Sequence, residues 1–393
     1  MTPEDQLCLL LVRGRFPPDA QQQASHLLAM ALDWSQILER VRIHEVLPLV
    51  YRNLQTVGFP GVPEPVRASL EDTFQANALR NTLFAEELKR ILPPLRDAGV
   101  PVIPLKGAYL AESLYGDLAL RVCADIDILV PPQHVAKAFR VLQSSGYEAG
   151  FSTPALVDLL GRYGKDCGLM RQGRACAYPL QLHCGLVWGG PLERAMLDEI
   201  WSQARHANIH GVPAFTLSED WEFLYFAVHA ARHGLSPLKW LVDLDLMCSR
   251  GLVDWPSVSE RARRLGWNDP VASSLSACAS LFDTPIDPVF TVTKSRIPLS
   301  LDAPHSSALQ IPREVLFAAR LLRSPSQKLR FLAIRLFVPT PADCRRVRLP
   351  PSLFFLYYFL RPVRLAFTVT GWLLQAGLSS LRRHLTSDTH QAD

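Results

Sequence analysis

The sequence predicts an α/β (α+β) core built on a mixed sheet, flanked by N- and C-terminal helical regions. Three features lead to this reading. Residues 1–98 place apolar side chains at helical spacing, residues 99–190 hold short apolar runs bounded by Pro and Gly, and residues 191–345 return to a helical pattern. A basic, apolar tail, residues 346–393, completes the division.

In the N-terminal region, Asp33-Trp34 opens a helix whose Ile37, Leu38, Val41, Ile43, Val46 and Leu47 continue toward Arg52. Pro60, Pro63 and Pro65 break the chain. A longer helix is then expected from Val66 to Leu92, stopped at Pro93-Pro94 because proline brings no N–H to the preceding turn. The Arg80-Asn81 pair either faces the site or lies on the helix surface, the commoner place for such residues. The opening MTPEDQLCLLLVRG has acids ahead of a short apolar run and no basic leader, so a cytoplasmic location is the simplest expectation.

The core centres on residues 100–132. Pro101-Val102-Ile103-Pro104-Leu105 is an apolar run that ends at Lys106-Gly107, and a helix-length segment follows from Ala108 to Asp117. Ala124-Asp125-Ile126-Asp127-Ile128-Leu129-Val130 then reads as a buried strand. Strand side chains alternate, so Asp125 and Asp127 emerge on one face. Adjacent carboxylates repel and resist burial unless a cation lies between them, and oxygen donors of this kind suit Mg²⁺, or Mn²⁺ in its place. On a solvated strand face the same D-x-D would be inert, but this strand is too apolar for an exposed edge. A helix from Gln133 to Ser144 follows, capped at Gly146, then a strand start at Tyr147 to Phe151. Residues 152–175 read as an irregular insertion and Ala177 to Val187 as a third strand.

Leu105-Lys106-Gly107, Tyr115, Arg121 and the run Asp125-Ile126-Asp127 to Val130 together resemble the signature of the uncharacterised bacterial nucleotidyltransferase family. That family is a divergent branch of the DNA-polymerase-β-like nucleotidyltransferase superfamily. The likeness extends loosely from residue 30 to 365 and takes in Leu182-His183 and the run His229 to Asp243. It implies a nucleotidyltransferase-like core that moves an NMP from an NTP to an acceptor. Asp125 and Asp127 would hold Mg²⁺ on the phosphates, Lys106 and the Gly107 backbone would cradle the β/γ-phosphates, and Arg121 would offset the charge of leaving pyrophosphate. Lys239-Trp240 and Asp243 would border the nucleotide or substrate cleft, although an Asp243 that pairs with a neighbouring His or Arg to join two helices is an equal expectation.

One position departs from the family pattern. An acid is expected two residues before the His of an L-H-W segment, where it completes a second metal site. Here Gln181 stands in that place and Cys184 replaces the Trp. An amide neutralises no charge and takes up no proton. His183, on the same strand face as Gln181, is then either a catalytic base or a hydrogen-bonded core residue, and Asp166 and Glu148 are the acids available as replacements. Two functions follow: an active Mg-dependent nucleotidyltransferase, or a nucleotide-binding scaffold with impaired turnover.

Ser218 is the expected N-cap of a helix carrying His229 and His233 on one face. Ala230 occupies the place of the glutamate that zinc proteases need after the first His, which excludes that chemistry. Helical pattern runs from Trp255 to Phe337, broken near Pro285 to Pro288 and by a Ser/Pro-rich loop at 296–312. The whole chain carries a net charge of only +4, but residues 313–393 hold thirteen Lys/Arg against four Asp/Glu. The longest charge-free run there, Leu365 to Leu381, is 17 residues, short of the roughly 20 a spanning helix needs. Arg361, Arg364, Arg382 and Arg383 flank it and suit a helix lying on an anionic membrane surface, with packing against the body or a partner as a near-equal alternative. The expected partners are therefore an NTP, an acceptor that is a small molecule, a peptide or an RNA end, and the inner membrane surface. The eight cysteines show no C-x-x-C pair and read as reduced core thiols, not a zinc site.

Overall fold

The structure is a computed structural model and describes residues 1–150, 154–163, 166–186, 194–290, 315–322 and 324–368. Five helices lead the chain: α1 (Pro3–Leu11), α2 (Pro18–Leu28), α3 (Trp34–Ile43), α4 (Leu47–Val57) and α5 (Glu64–Asp97). Asp33 caps α3 by accepting hydrogen bonds from the N–H groups of Ser35 and Gln36. The stop expected at Pro93-Pro94 does not occur, and α5 runs through both prolines to Asp97. The carbonyls they orphan belong to Lys89 and Arg90, whose residues are exposed to water, while buried Leu95 anchors the last turn. Asn81 is a second correction. It is fully buried, and its amide donates to the carbonyls of Leu118 and Arg121.

The central sheet has five strands in the order β1-β2-β5-β4-β3: β1 (Ile103–Pro104), β2 (Ile126–Leu129), β3 (Glu148–Ala149), β4 (Cys167–Gln172) and β5 (Ala177–His183). β2 and β5 are parallel and the remaining pairs antiparallel, so the sheet is mixed. Between β1 and β2 the helix-length segment is a single turn, α6 (Ala108–Leu110), running into a π turn over Ala111–Tyr115. Helix α7 (Val135–Ser144) returns the chain from β2, and Gly146 with φ +87° follows its end. The segment 152–175 is ordered where described, contrary to the irregular insertion expected. It contributes α8 (Pro154–Tyr163), driven by buried Leu156, Val157, Leu159 and Leu160, and strand β4, whose Cys167 and Leu169 alternate inward.

The sheet lies between two apolar cores. Ile126, Ile128, Leu180 and Leu182 pack with the second half of α5, with α7 and with α8. On the other side Leu129, Ile103 and Leu105 join α1–α4 and helices of the C-terminal region in one continuous core. Those later elements are α9 (Arg194–Ser202), β6 (Arg205–Ile209), β7 (Val212–Thr216), α10 (Glu219–Arg232), α11 (Lys239–Ser249), α12 (Trp255–Leu265) and α13 (Asn268–Phe282). The hairpin β6–β7 interrupts a region expected to be helical. Its two-residue turn, His210-Gly211, has positive φ at both positions, the backbone that suits tight hairpins. Ser218 stands at the N-cap of α10, but its hydroxyl makes no capping bond.

Helices Pro325–Phe337 and Pro341–Arg346 follow, then a helical segment over 357–368. The loop at 296–312, Arg382 and Arg383, and most of the Leu365 to Leu381 run lie outside the described residues. Among the described residues, no helix is long and apolar enough to cross a membrane. All eight cysteines are free thiols.

Candidate functional site

The edge of the sheet shared by β1, β2 and β5 gathers the charged residues. Parallel register sets Asp127 beside Gln181 and Leu129 beside His183, while antiparallel β4 sets Gly168 beside Gln181. Alternation sends the aliphatic neighbours into the α7/α8 core, so Asp127, Gln181 and His183 look out from the other face. The Leu105 N–H donates to the Asp127 carbonyl and brings the Lys106-Gly107 turn against this strand. Gly107 has φ +72°, and a Cβ there would stand 3.2 Å from the Asp125 carbonyl oxygen. Only glycine fits this turn without strain.

The Lys106 ammonium lies 3.2 Å from Asp127 Oδ2 and 4.0 Å from Asp125 Oδ1, so both acids converge on one cation. His183 Nε2 donates to Asp127 Oδ1 at 2.8 Å, and its Nδ1 meets Asp166 Oδ1 at 2.9 Å. The Asp127 side chain is sealed, whereas those of Lys106, Asp125, Asp166 and His183 keep partial exposure on one side. Three carboxylates face two cations. Burial works against the Asp127 charge, but Lys106 and His183 outweigh it and hold that carboxyl well below the usual range. Burial, with the Asp127 charge beside it, pushes Asp125 up. Burial alone would strip the His183 proton. Asp166 and Asp127 overcome it and push the imidazole up to about 10. In this arrangement His183 is an imidazolium with both nitrogens engaged, and it cannot accept a proton.

Arg121 and Asp243 are placed elsewhere. Arg121 Nε and Nη2 donate to the two Asp243 oxygens at 3.0 and 2.9 Å, and the Tyr115 hydroxyl adds a bond of 2.7 Å. Both residues are buried. Asn77 and Asn81 bind the Arg121 carbonyl, so the loop that leads into Asp125 is fixed from α5 and from α11. Lys239 pairs with Glu45, and Trp240 packs against His229 and His233 with ring centroids 4.7 Å away. Of the residues marked in the sequence, the structure thus brings together Lys106, Gly107, Asp125, Asp127 and His183, and sets Arg121 and Asp243 in a separate ion pair.

Asp166 is the acid that meets His183, while Glu148 is exposed on β3 at the far edge of the sheet. Tyr225 on α10 was not marked. It is buried within electrostatic reach of Lys106, Asp127, Asp166 and Asp125. On the same helix, burial and then the Lys106 charge keep His229 neutral.

Among the described residues no group of three or more acidic, His or Cys side chains forms a closed metal site. The donors nevertheless fit a hard divalent ion. Asp127 Oδ2 is buried without a well-aimed hydrogen bond, and the Lys106 ammonium drawn to both acids is flexible. Mg²⁺ commonly takes one or two carboxylates and fills its other positions with water and phosphate.

A mixed sheet with paired acids at one strand, and a Lys-Gly turn against it, defines the class of the protein as α/β. Residues 30–283 match the family described as uncharacterised nucleotidyltransferase, and the chain belongs to that family. Among curated proteins and among solved structures, no match was found.

Proposed function

We propose that the protein transfers an NMP from an NTP to an acceptor hydroxyl or phosphate and releases pyrophosphate, using Mg²⁺ held by Asp125 and Asp127. The observation that carries this reading is the convergence of both carboxylates on the Lys106 ammonium. When bound, the metal neutralises phosphate charge and orients the α-phosphorus for in-line attack. Lys106 then has a second role available. Its four-carbon stem lets the ammonium leave the acids and take up the triphosphate as a point charge. The Gly107 N–H opens the turn beside it with no side chain in the way. His183 holds Asp127 in place and keeps it ionised. Arg121 and Asp243 act at a distance, as positioning residues for the Asp125 loop.

Gln181 favours a second reading, a protein that binds nucleotide but turns over poorly. It stands in register with Asp127 and leaves no acid at that point of β5. One experiment separates the two. The protein is incubated with α-labelled NTPs and Mg²⁺ or Mn²⁺, with and without bacterial lysate. Label on an acceptor that vanishes in Asp127→Asn supports transfer, and NTP binding without transfer in every fraction supports the scaffold.

A further inference from the structure

We propose that the surface formed by residues 325–368 docks on an anionic lipid bilayer. Eleven of the seventeen large apolar side chains exposed among the described residues fall between Leu329 and Phe367. They follow helical spacing. Leu329, Leu332 and Leu336 make one stripe on the helix Pro325–Phe337, and Phe359, Val363 and Phe367 make another on the segment 357–368. Such stripes ordinarily face a core. Here Leu329, Phe359 and Phe367 are 71%, 70% and 74% exposed, while Phe331 and Tyr357 on the inner sides are buried. Val347, Leu360, Val363 and Phe367 line a groove of about 350 Å³ between the segments.

The charge of this surface selects the occupant. Residues 324–368 contain eight Lys/Arg and one acid, Asp343. Asp343 is buried and bonded to Arg361 and Arg364, which removes the one negative group from the face. Lys328, Arg330, Arg345, Arg346 and Arg348 are exposed around the apolar stripes. Exposed apolar side chains rimmed by basic ones match the boundary between acyl chains and anionic headgroups. A second copy of this surface would set positive charge against positive charge. Residues 369–393, with two arginines and two aspartates, offer little to neutralise the rim. Single-stranded RNA calls for aromatic platforms, whereas one of the two stripes is purely leucine.

The test uses the full chain in vesicle flotation. Vesicles of phosphatidylcholine alone are compared with vesicles that also contain phosphatidylglycerol. The expected result is flotation with the anionic vesicles only, weakened by salt. The double variant Phe359→Ser/Phe367→Ser should lose at least about tenfold in partitioning, with an unchanged melting temperature because both rings are exposed. Arg345→Gln/Arg346→Gln/Arg348→Gln should lose the preference for anionic lipid. Failure to float with either vesicle overturns the proposal. So does a double variant that melts lower with vesicle binding unaltered, which would mean that the face is covered within the chain. Self-association or RNA binding that the double variant abolishes, with no lipid binding, assigns the face to a second copy or to nucleic acid instead. None of these readouts depends on nucleotide transfer.

Discussion

The ammonium of Lys106 lies 3.2 Å from Asp127 Oδ2, inside the space a divalent ion would need. Burial opposes the lysine charge, yet Asp127 ahead of Tyr225 and Asp125 outweighs burial and raises its pKa. The lysine therefore stays charged and acts as a counter-ion that metal must displace. Removing that charge should strengthen metal binding while it weakens nucleotide binding. For Lys106→Met the expected result is an affinity for Mn²⁺ alone that rises by about tenfold or more, since unit charges about 4 Å apart interact by about 4 kcal/mol at intermediate dielectric. The affinity for Mg-NTP should fall in the same variant. Mn²⁺ binding followed by electron paramagnetic resonance measures the first effect without any turnover. A Lys106→Met protein that binds Mn²⁺ no more tightly would refute the displacement.

Arg121 and Asp243 hold together segments 122 residues apart in sequence, and both are buried. Breaking one partner leaves the other charge stranded. Asp243→Leu and Arg121→Met should each cost about 3–5 kcal/mol. The pair Arg121→Met/Asp243→Leu should cost much less than the two single losses added together, because it strands no charge. Urea denaturation of the four proteins gives the coupling directly. An additive result would remove the ion pair from the account of how the Asp125 loop is held.

Much of this arrangement was legible in the sequence. Period-two alternation placed Asp125 and Asp127 on one face, and the Lys-Gly turn stood out at the end of an apolar run. What stayed hidden depended on contacts between distant segments. That Asp243 pairs with a His or Arg was one of two equal expectations, but which partner it takes needs the fold that joins the segments, so for Arg121 residue type alone suggested a phosphate ligand. Asp166 was named as one of two available acids but could not be chosen over Glu148 without β4, and β4 stayed hidden because its short Cys-Gly-Leu-Met run lacks β-branched residues. The β6–β7 hairpin, by contrast, did carry a signal in its His-Gly turn between alternating residues. Helical pattern on both sides hid it.

Acid should loosen the tie between α5 and the sheet. Burial pushes the Glu87 carboxyl up, but hydrogen bonds from Arg90, Arg171 and Tyr147 outweigh burial and hold its pKa below 4.5. A carboxyl depressed in the folded state gives stability that is complete above its unfolded pKa and is lost as pH falls through the folded one. Wild-type stability should thus decline below about pH 4.5, and Glu87→Gln should flatten that decline. At pH 7 the same variant should be less stable by about 3 kcal/mol, since it leaves the Arg171 guanidinium without its counter-charge. Exposed Arg90 adds little to that figure. Thermal melts between pH 3 and pH 7 test both parts, and an unchanged acid limb in Glu87→Gln would exclude this cluster as its source.

Gln181 decides how far the site can go chemically. It lies beside Asp127 in register, with Gly168 opposite leaving room for a longer or charged head group. Glutamate is nearly isosteric with glutamine, so Gln181→Glu should fold normally and place a fourth carboxylate near Asp125, Asp127 and Asp166. The added charge should draw a second divalent ion, raising Mn²⁺ stoichiometry from one to two in the presence of NTP. If the native protein is an impaired transferase, turnover should rise with it. If Asp166 already performs the missing task, turnover should stay level or fall while metal stoichiometry still rises. A Gln181→Glu protein with unchanged metal stoichiometry would show that β5 does not border the ion, and the site would then rest on β2 and the Lys106 turn alone.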